Sequence, residues 1–113
     1  MPLSDRRLKR WYREFNRQYF DGQLPDNTEV WWEHVDGAIA CVDYDGCGVT
    51  FDESTDTFLI RINPAVAWST RQARFALLHE CAHIKVGIKF GHRAKFQLEM
   101  LRLAHCGALK ALW

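Results

Sequence analysis

Leu8, Trp11, Phe15 and Tyr19 recur at intervals of three or four residues, which draws one apolar stripe along a helix. Ser4 and Asp5, just ahead of them, are residue types that start helices. Arg6, Arg7, Arg10, Arg13 and Arg17 fall largely off the stripe. The spacing predicts an amphipathic helix over residues 5–20 with a solvated basic face. Asp21-Gly22 is a turn pair, and Pro25 prevents the helix from resuming.

Over residues 28–62 the pattern shortens to strand length. Thr28–Glu33, Ala38–Asp43, Gly48–Phe51 and Phe58–Ile62 read as strands, with Asp36-Gly37 and Asp45-Gly46 as hairpin-type turns and Asn63-Pro64 closing the last one. The connections look too short for helical crossovers, so the expected sheet is mostly antiparallel.

Helical spacing then returns. Ser69 and Gln72 resemble a capping box. Residues 70–86 carry no Gly or Pro, and Gly87 stands where a C-terminal cap belongs. Phe75, Leu78, Ala82 and Val86 are the expected anchors of this helix on the sheet. A last helix over about residues 92–106 places Phe96, Met100 and Leu103 on one side. The fold class is therefore α+β, a small, mostly antiparallel sheet packed against three helices. At 113 residues it is a single domain.

Composition narrows the class. Hydrophobic residues make up 48% and aromatics 13%, enough for a core. No apolar run approaches the 18 or so residues of a membrane span, and charges interrupt the first residues too often for a secretory signal. The expected location is the cytoplasm: the nucleus in a eukaryote, the host cytoplasm for a phage protein. Cys41, Cys47, Cys81 and Cys106 include no C-x-x-C pair, which argues against a zinc ribbon, and all four read as ordinary buried or half-buried thiols. Net charge is +1, yet residues 1–20 carry +4, residues 21–58 carry −10 and residues 59–113 carry +7. If the two ends meet, they make a basic face suited to DNA or an acidic protein; otherwise the charges neutralise each other across the fold.

The candidate chemistry lies in the helix after Ser69. His79-Glu80-Cys81-Ala82-His83 is an H-E-x-x-H motif. Residues four apart on a helix differ by about 40° and by about 6 Å of rise, so the two imidazoles leave one face and can share a tetrahedral zinc ion. Glu80, about 100° away from His79, would sit beside the ion without binding it and act as general base toward a bound water. Zinc lowers the pKa of such a water from about 16 toward about 7. Cys81, about 200° round from His79, is expected in the core rather than on the metal.

Two histidines leave zinc short of a third protein ligand. The metzincin pattern would need Gly at 86 and His at 89, where the chain has Val86 and Lys89. His92, just after Gly91, is preferred to Glu99 on the last helix. His105 is a more distant choice, expected on a helix surface or C-terminal turn, and His34 reads as structural.

Taken together, these residues resemble the SprT-like (Spartan-type) zinc metallopeptidase family, whose eukaryotic members include a protease of DNA–protein crosslinks. The resemblance is carried by Phe15-Asn16-x-x-Tyr19-Phe20-x-Gly22-x-Leu24-Pro25, Ile60-x-Ile62-Asn63-Pro64, Leu77-Leu78-His79-Glu80-x-x-His83 and Gly91-His92-x-x-x-Phe96, over about residues 12–100. It implies a minimal zincin-like metalloprotease fold, with Zn2+ on His79, His83 and His92, Glu80 catalytic, and a protein or peptide substrate added to a sheet edge. Many relatives carry a C-terminal zinc ribbon or DNA-binding tail. This chain has neither after Cys106, so any DNA contact would use the basic surface of the domain itself. The competing readings are a non-catalytic zinc-containing DNA- or protein-binding module, and a zinc hydrolase acting on another bond.

Other features have plainer explanations. Trp31-Trp32 alternate across a strand, so one is expected in the core and the other exposed. The acidic stretch Asp43–Asp56 departs from an EF-hand loop and reads as a solvated hairpin. The apolar Ala108–Trp113 is expected to dock on the core.

Overall fold

The structure is a computed structural model that describes residues 3–33, 47–65, 69–88 and 93–108. In chain order the elements are β1 (Leu3–Ser4), α1 (Arg6–Tyr19), β2 (Glu29–Trp32), β3 (Gly48–Asp52), β4 (Thr57–Ile62), α2 (Thr70–Val86) and α3 (Ala94–His105). The expected strand at Ala38–Asp43 and the turns at Asp36-Gly37 and Asp45-Gly46 lie outside the described residues.

α1 starts where the residue types require. The Asp5 carboxylate accepts the Arg7 backbone N–H at 2.9 Å, which satisfies one of the open donors of the first turn. The helix stops at a reversal in which Asp21 (φ 53°) and Gly22 (φ 73°) are both left-handed, and the Gly22 N–H donates to the Asn16 carbonyl at 2.9 Å. Its inner face buries Leu8, Trp11, Tyr12, Phe15 and Asn16, with Tyr19 half-buried. Tyr12 and Asn16 thus widen the apolar stripe with polar groups whose bonds are satisfied. The Tyr12 hydroxyl donates to the Pro25 carbonyl at 2.6 Å and lies 2.9 Å from Thr28 Oγ1. Asn16 binds Leu24 through its side-chain amide. Together they pin the 20–28 turn to the helix, and Lys9 adds hydrogen bonds to the Asp26 and Thr28 carbonyls.

The sheet order is β1-β2-β4-β3. β1 pairs antiparallel with β2 and β3 antiparallel with β4, but β2 and β4 run parallel. The sheet is therefore mixed, with two of its three pairings antiparallel as expected and one parallel. The reason is the route of the chain. β3 precedes β4 in the chain yet takes the edge beyond it, and the tight turn at 53–56 brings the chain back alongside β2. β3 itself lies inside the connection between the two parallel strands.

Alternation is clearest at the centre of the sheet. Val30, Ile60, Val49 and Ile62 point into the core in register, while Glu29, Trp31, Leu59, Arg61 and Thr50 occupy the other face. There Arg61 ties neighbouring strands together through Glu33 at 3.0 Å and Thr50 Oγ1 at 2.9 Å.

Ser69 Oγ accepts the Gln72 N–H at 3.2 Å and so caps α2 as expected. At the other end Gly87 takes φ 114°, and its N–H donates to the His83 carbonyl. α2 is packed by α1, by the sheet and by α3. Its buried apolar residues therefore run almost round the helix: Ala73, Ala76, Leu77, Leu78, Cys81, Ala82 and Ile84. Of the four expected anchors, Leu78 and Ala82 are buried, whereas Phe75 and Val86 are half-buried. α3 buries Phe96, Glu99 and Leu103 and leaves Leu98 and Leu101 exposed. Met100 is half-buried against the core. Cys47 and Cys81 are buried thiols, but Cys106 is exposed, contrary to the expectation for it, because it lies just past the outer end of α3. Cys41 and residues 109–113 lie outside the described residues. Among the described residues, no helix is long and apolar enough to cross a membrane.

Candidate metal centre

The mixed sheet and α1 hold α2 on two sides, and α3 closes a third. The H-E-x-x-H residues sit in the second half of α2, where that enclosure is tightest. His83 and Glu80 have 0% of their surface exposed, and His79 is half-buried. A carboxyl and two imidazoles on adjoining helical positions, inside a helix otherwise packed with Leu, Ala and Ile, make a polar island in the core. Burying such groups is costly unless hydrogen bonds, charges or a cation compensate them.

The rings of His79 and His83 have centroids 5.0 Å apart and planes inclined by 66°. Two imidazoles on one tetrahedral ion with bonds of about 2.1 Å would place their centroids about 5 Å apart. The separation of the pair therefore fits a shared metal. The pair is also framed from α3. The Phe96 ring lies stacked on His83 at 4.3 Å and 19°, and tilted against His79 at 4.8 Å and 58°. The sequence placed Phe96 on the inner side of the last helix but did not bring it to the histidines. The segment Gly91-His92-x-x-x-Phe96 held the signal.

The remaining candidates separate clearly. Cys81 is in the core, as expected from its angle on the helix. Burial first, and then the charge of Glu80, push its thiol well above the ordinary range, so it stays protonated. Glu99 is buried, yet both its oxygens face Arg102, at 2.9 Å from Nε and 2.6 Å from Nη2. Arg102 Nη2 also donates to the Tyr19 carbonyl at 2.8 Å, at the last residue of α1. The Glu99 carboxylate is thus engaged in a clamp between α3 and α1, which disfavours it as a ligand. His105 is exposed in the last turn of α3, the surface position expected for it. His92 and His34 lie outside the described residues. Among the described residues, no group of three His, Cys, Asp or Glu side chains is placed to hold a metal ion. Among these residues the histidine pair would offer a metal two ligands.

Trp31 and Trp32 are both half-buried, on opposite faces of β2. Trp32 packs against the core and its Nε1 donates to Asp5 at 3.1 Å, and Trp31 is half-buried rather than exposed as alternation suggested. The described end of the acidic stretch is an exposed hairpin turn in which Asp52 Oδ1 accepts the Ser54 N–H at 2.9 Å.

Comparison of the chain with family models, with curated proteins and with solved structures gives no match.

Proposed function

We propose that this domain is a zinc-dependent metalloprotease of minimal zincin-like form, of the SprT-like kind that its motifs resemble. The observation that supports the reading is the pair His79–His83, 5.0 Å apart on one face of α2, with the buried Glu80 carboxyl beside it. His79, His83 and His92 would hold the ion. Bound there, zinc supplies a Lewis acid that makes a water acidic near neutral pH. Glu80 would take the proton from the attacking water onto a carboxylate oxygen and return it to the leaving amine. Protein or peptide is the substrate. DNA-associated proteins are the expected source, because Arg6, Arg10, Arg13 and Arg17 are exposed along α1 within an arc of about 60°. Among the described residues, no carboxylate pairs with Arg6, Arg10 or Arg17. Such a rail suits phosphate groups.

The complete burial of Glu80 and His83 favours one other reading, a zinc-containing DNA- or protein-binding module without turnover. One experiment separates the two. Wild type and Glu80→Gln are loaded with zinc and given an unfolded protein, with and without DNA. The protease reading expects one zinc per chain in both and a cleavage rate about 10²- to 10⁴-fold lower in the variant. Equal cleavage by both would refute the role of Glu80. Zinc uptake with retention of the DNA or the protein and no cleavage by either would favour the binding module.

A further inference from the structure

A helix fixes where the two histidine side chains leave the backbone, but not the planes of their rings, because the second side-chain torsion of histidine is broad and roughly two-fold. Something else must set those planes if both imidazoles are to present a nitrogen to one point. The geometry points to Phe96 as a positioning residue of the metal site, a ring from a different helix that bears on both imidazoles; this inference rests on the proposed zinc reading.

Three observations carry it. Phe96 contacts both histidines, and in different modes. It covers the face of His83 almost in parallel, at 4.3 Å and 19°, and meets His79 at an inclination of 58° and 4.8 Å. A parallel stack resists rotation of the His83 ring, since turning it would drive an edge into the phenyl face. The tilted contact limits His79 in a second direction, so one neighbour constrains both imidazoles, whose planes stand at 66° to each other. Phe96 is also well held, with only 4% of its surface exposed. One turn further along α3, Glu99 grips Arg102, and Arg102 reaches back to the Tyr19 carbonyl and over the Phe20 ring at 5.6 Å. That clamp fixes α3 against the end of α1, and with it the height at which the phenyl ring meets α2.

The test compares zinc affinity, read by competition with a chromogenic chelator, and the visible absorption band of the cobalt-substituted protein. The proteins are wild type, Phe96→Leu, Phe96→Tyr and His83→Ala. Leucine keeps an apolar side chain and removes the plane; tyrosine keeps the plane. Phe96→Leu is expected to bind zinc at least about tenfold more weakly, the loss typical of removing a group that orients a metal ligand. Its cobalt band should shift, and Phe96→Tyr should restore both readouts. If Phe96→Leu matches wild type in affinity and cobalt band while His83→Ala binds no metal, the inference is overturned and the zinc reading stands. A loss of thermal stability with an unchanged cobalt band also overturns it, because the ring would then only fill space. If wild type takes up no zinc, the zinc reading fails and this inference with it. Should Phe96→Leu not fold, Phe96→Met takes its place under the same criteria.

Discussion

The side-chain amide of Asn16 closes on both backbone groups of Leu24, donating from Nδ2 to the carbonyl and accepting the N–H at Oδ1, each at 2.9 Å. The amide does for Leu24 what a neighbouring strand would do, and it does so in the core, where water cannot substitute. Asn16→Ala leaves two backbone groups without these partners. It is expected to destabilise the fold by about 2–4 kcal/mol, read from the urea midpoint at constant m-value.

The N-cap of α1 should show itself as a pH dependence. The Asp5 carboxyl is held at about 2, below its ordinary 3.8, by the hydrogen bond from the Arg7 side chain first, then by the Trp32 indole and the Arg7 backbone N–H. A carboxyl whose pKa falls on folding favours the folded state above its unfolded value and loses that contribution as pH falls through the folded one. Asparagine at this position keeps a capping acceptor but not the charge. The stability difference between wild type and Asp5→Asn is therefore expected to be full at about pH 6 and to shrink between about pH 4 and pH 2. Denaturation series at several pH values measure it.

Thiol chemistry should sort the cysteines by position. Cys106 is exposed, whereas Cys47 accepts the Asn63 N–H at 3.2 Å in the core and Cys81 has its thiol pushed up by burial. Reagents that need a thiolate should label Cys106 in the native protein, and label Cys47 and Cys81 only after denaturation. Peptide mass mapping after brief labelling gives the answer directly.

If zinc binds the folded state alone, it must also stabilise it. At a free concentration one hundredfold above its Kd, zinc is expected to add about 2.7 kcal/mol to the unfolding free energy. The gain should vanish on chelation and be absent in His79→Ala and His83→Ala. Thermal melts with and without metal test this without requiring any cleavage assay.

Local physics made much of the fold legible. The stripe Leu8, Trp11, Phe15, Tyr19, the Ser69 cap and the Gly87 stop mark two helices to within a residue, because capping and periodicity act over a few positions. The strands around Val30, Val49 and Ile60 could be found the same way. The parallel pairing of β2 with β4 could not, since connection length alone does not reveal that one strand lies inside the connection between two others. At the candidate site, the His79–His83 pair follows from a spacing of four on a helix. Phe96 and Arg102 depend on how α3 docks, which no local pattern encodes. Glu99 looked like a ligand because a carboxylate on an inner face invites that reading; its i,i+3 arginine was the clue to another role. Tyr12 and Asn16 escaped the apolar stripe because their burial rests on partners in the 24–28 segment.

β1, only two residues long, covers the backbone of Trp31 and Trp32 on the side of β2 away from β4, and Lys9 occupies the carbonyls of Asp26 and Thr28 just before that strand. An open strand edge is a template for intermolecular pairing, and short flanking strands and lysines are the usual deterrents. Cutting the chain after Ser4 would uncover two tryptophans' worth of unpaired main chain. The first consequence would be self-association and precipitation rather than unfolding.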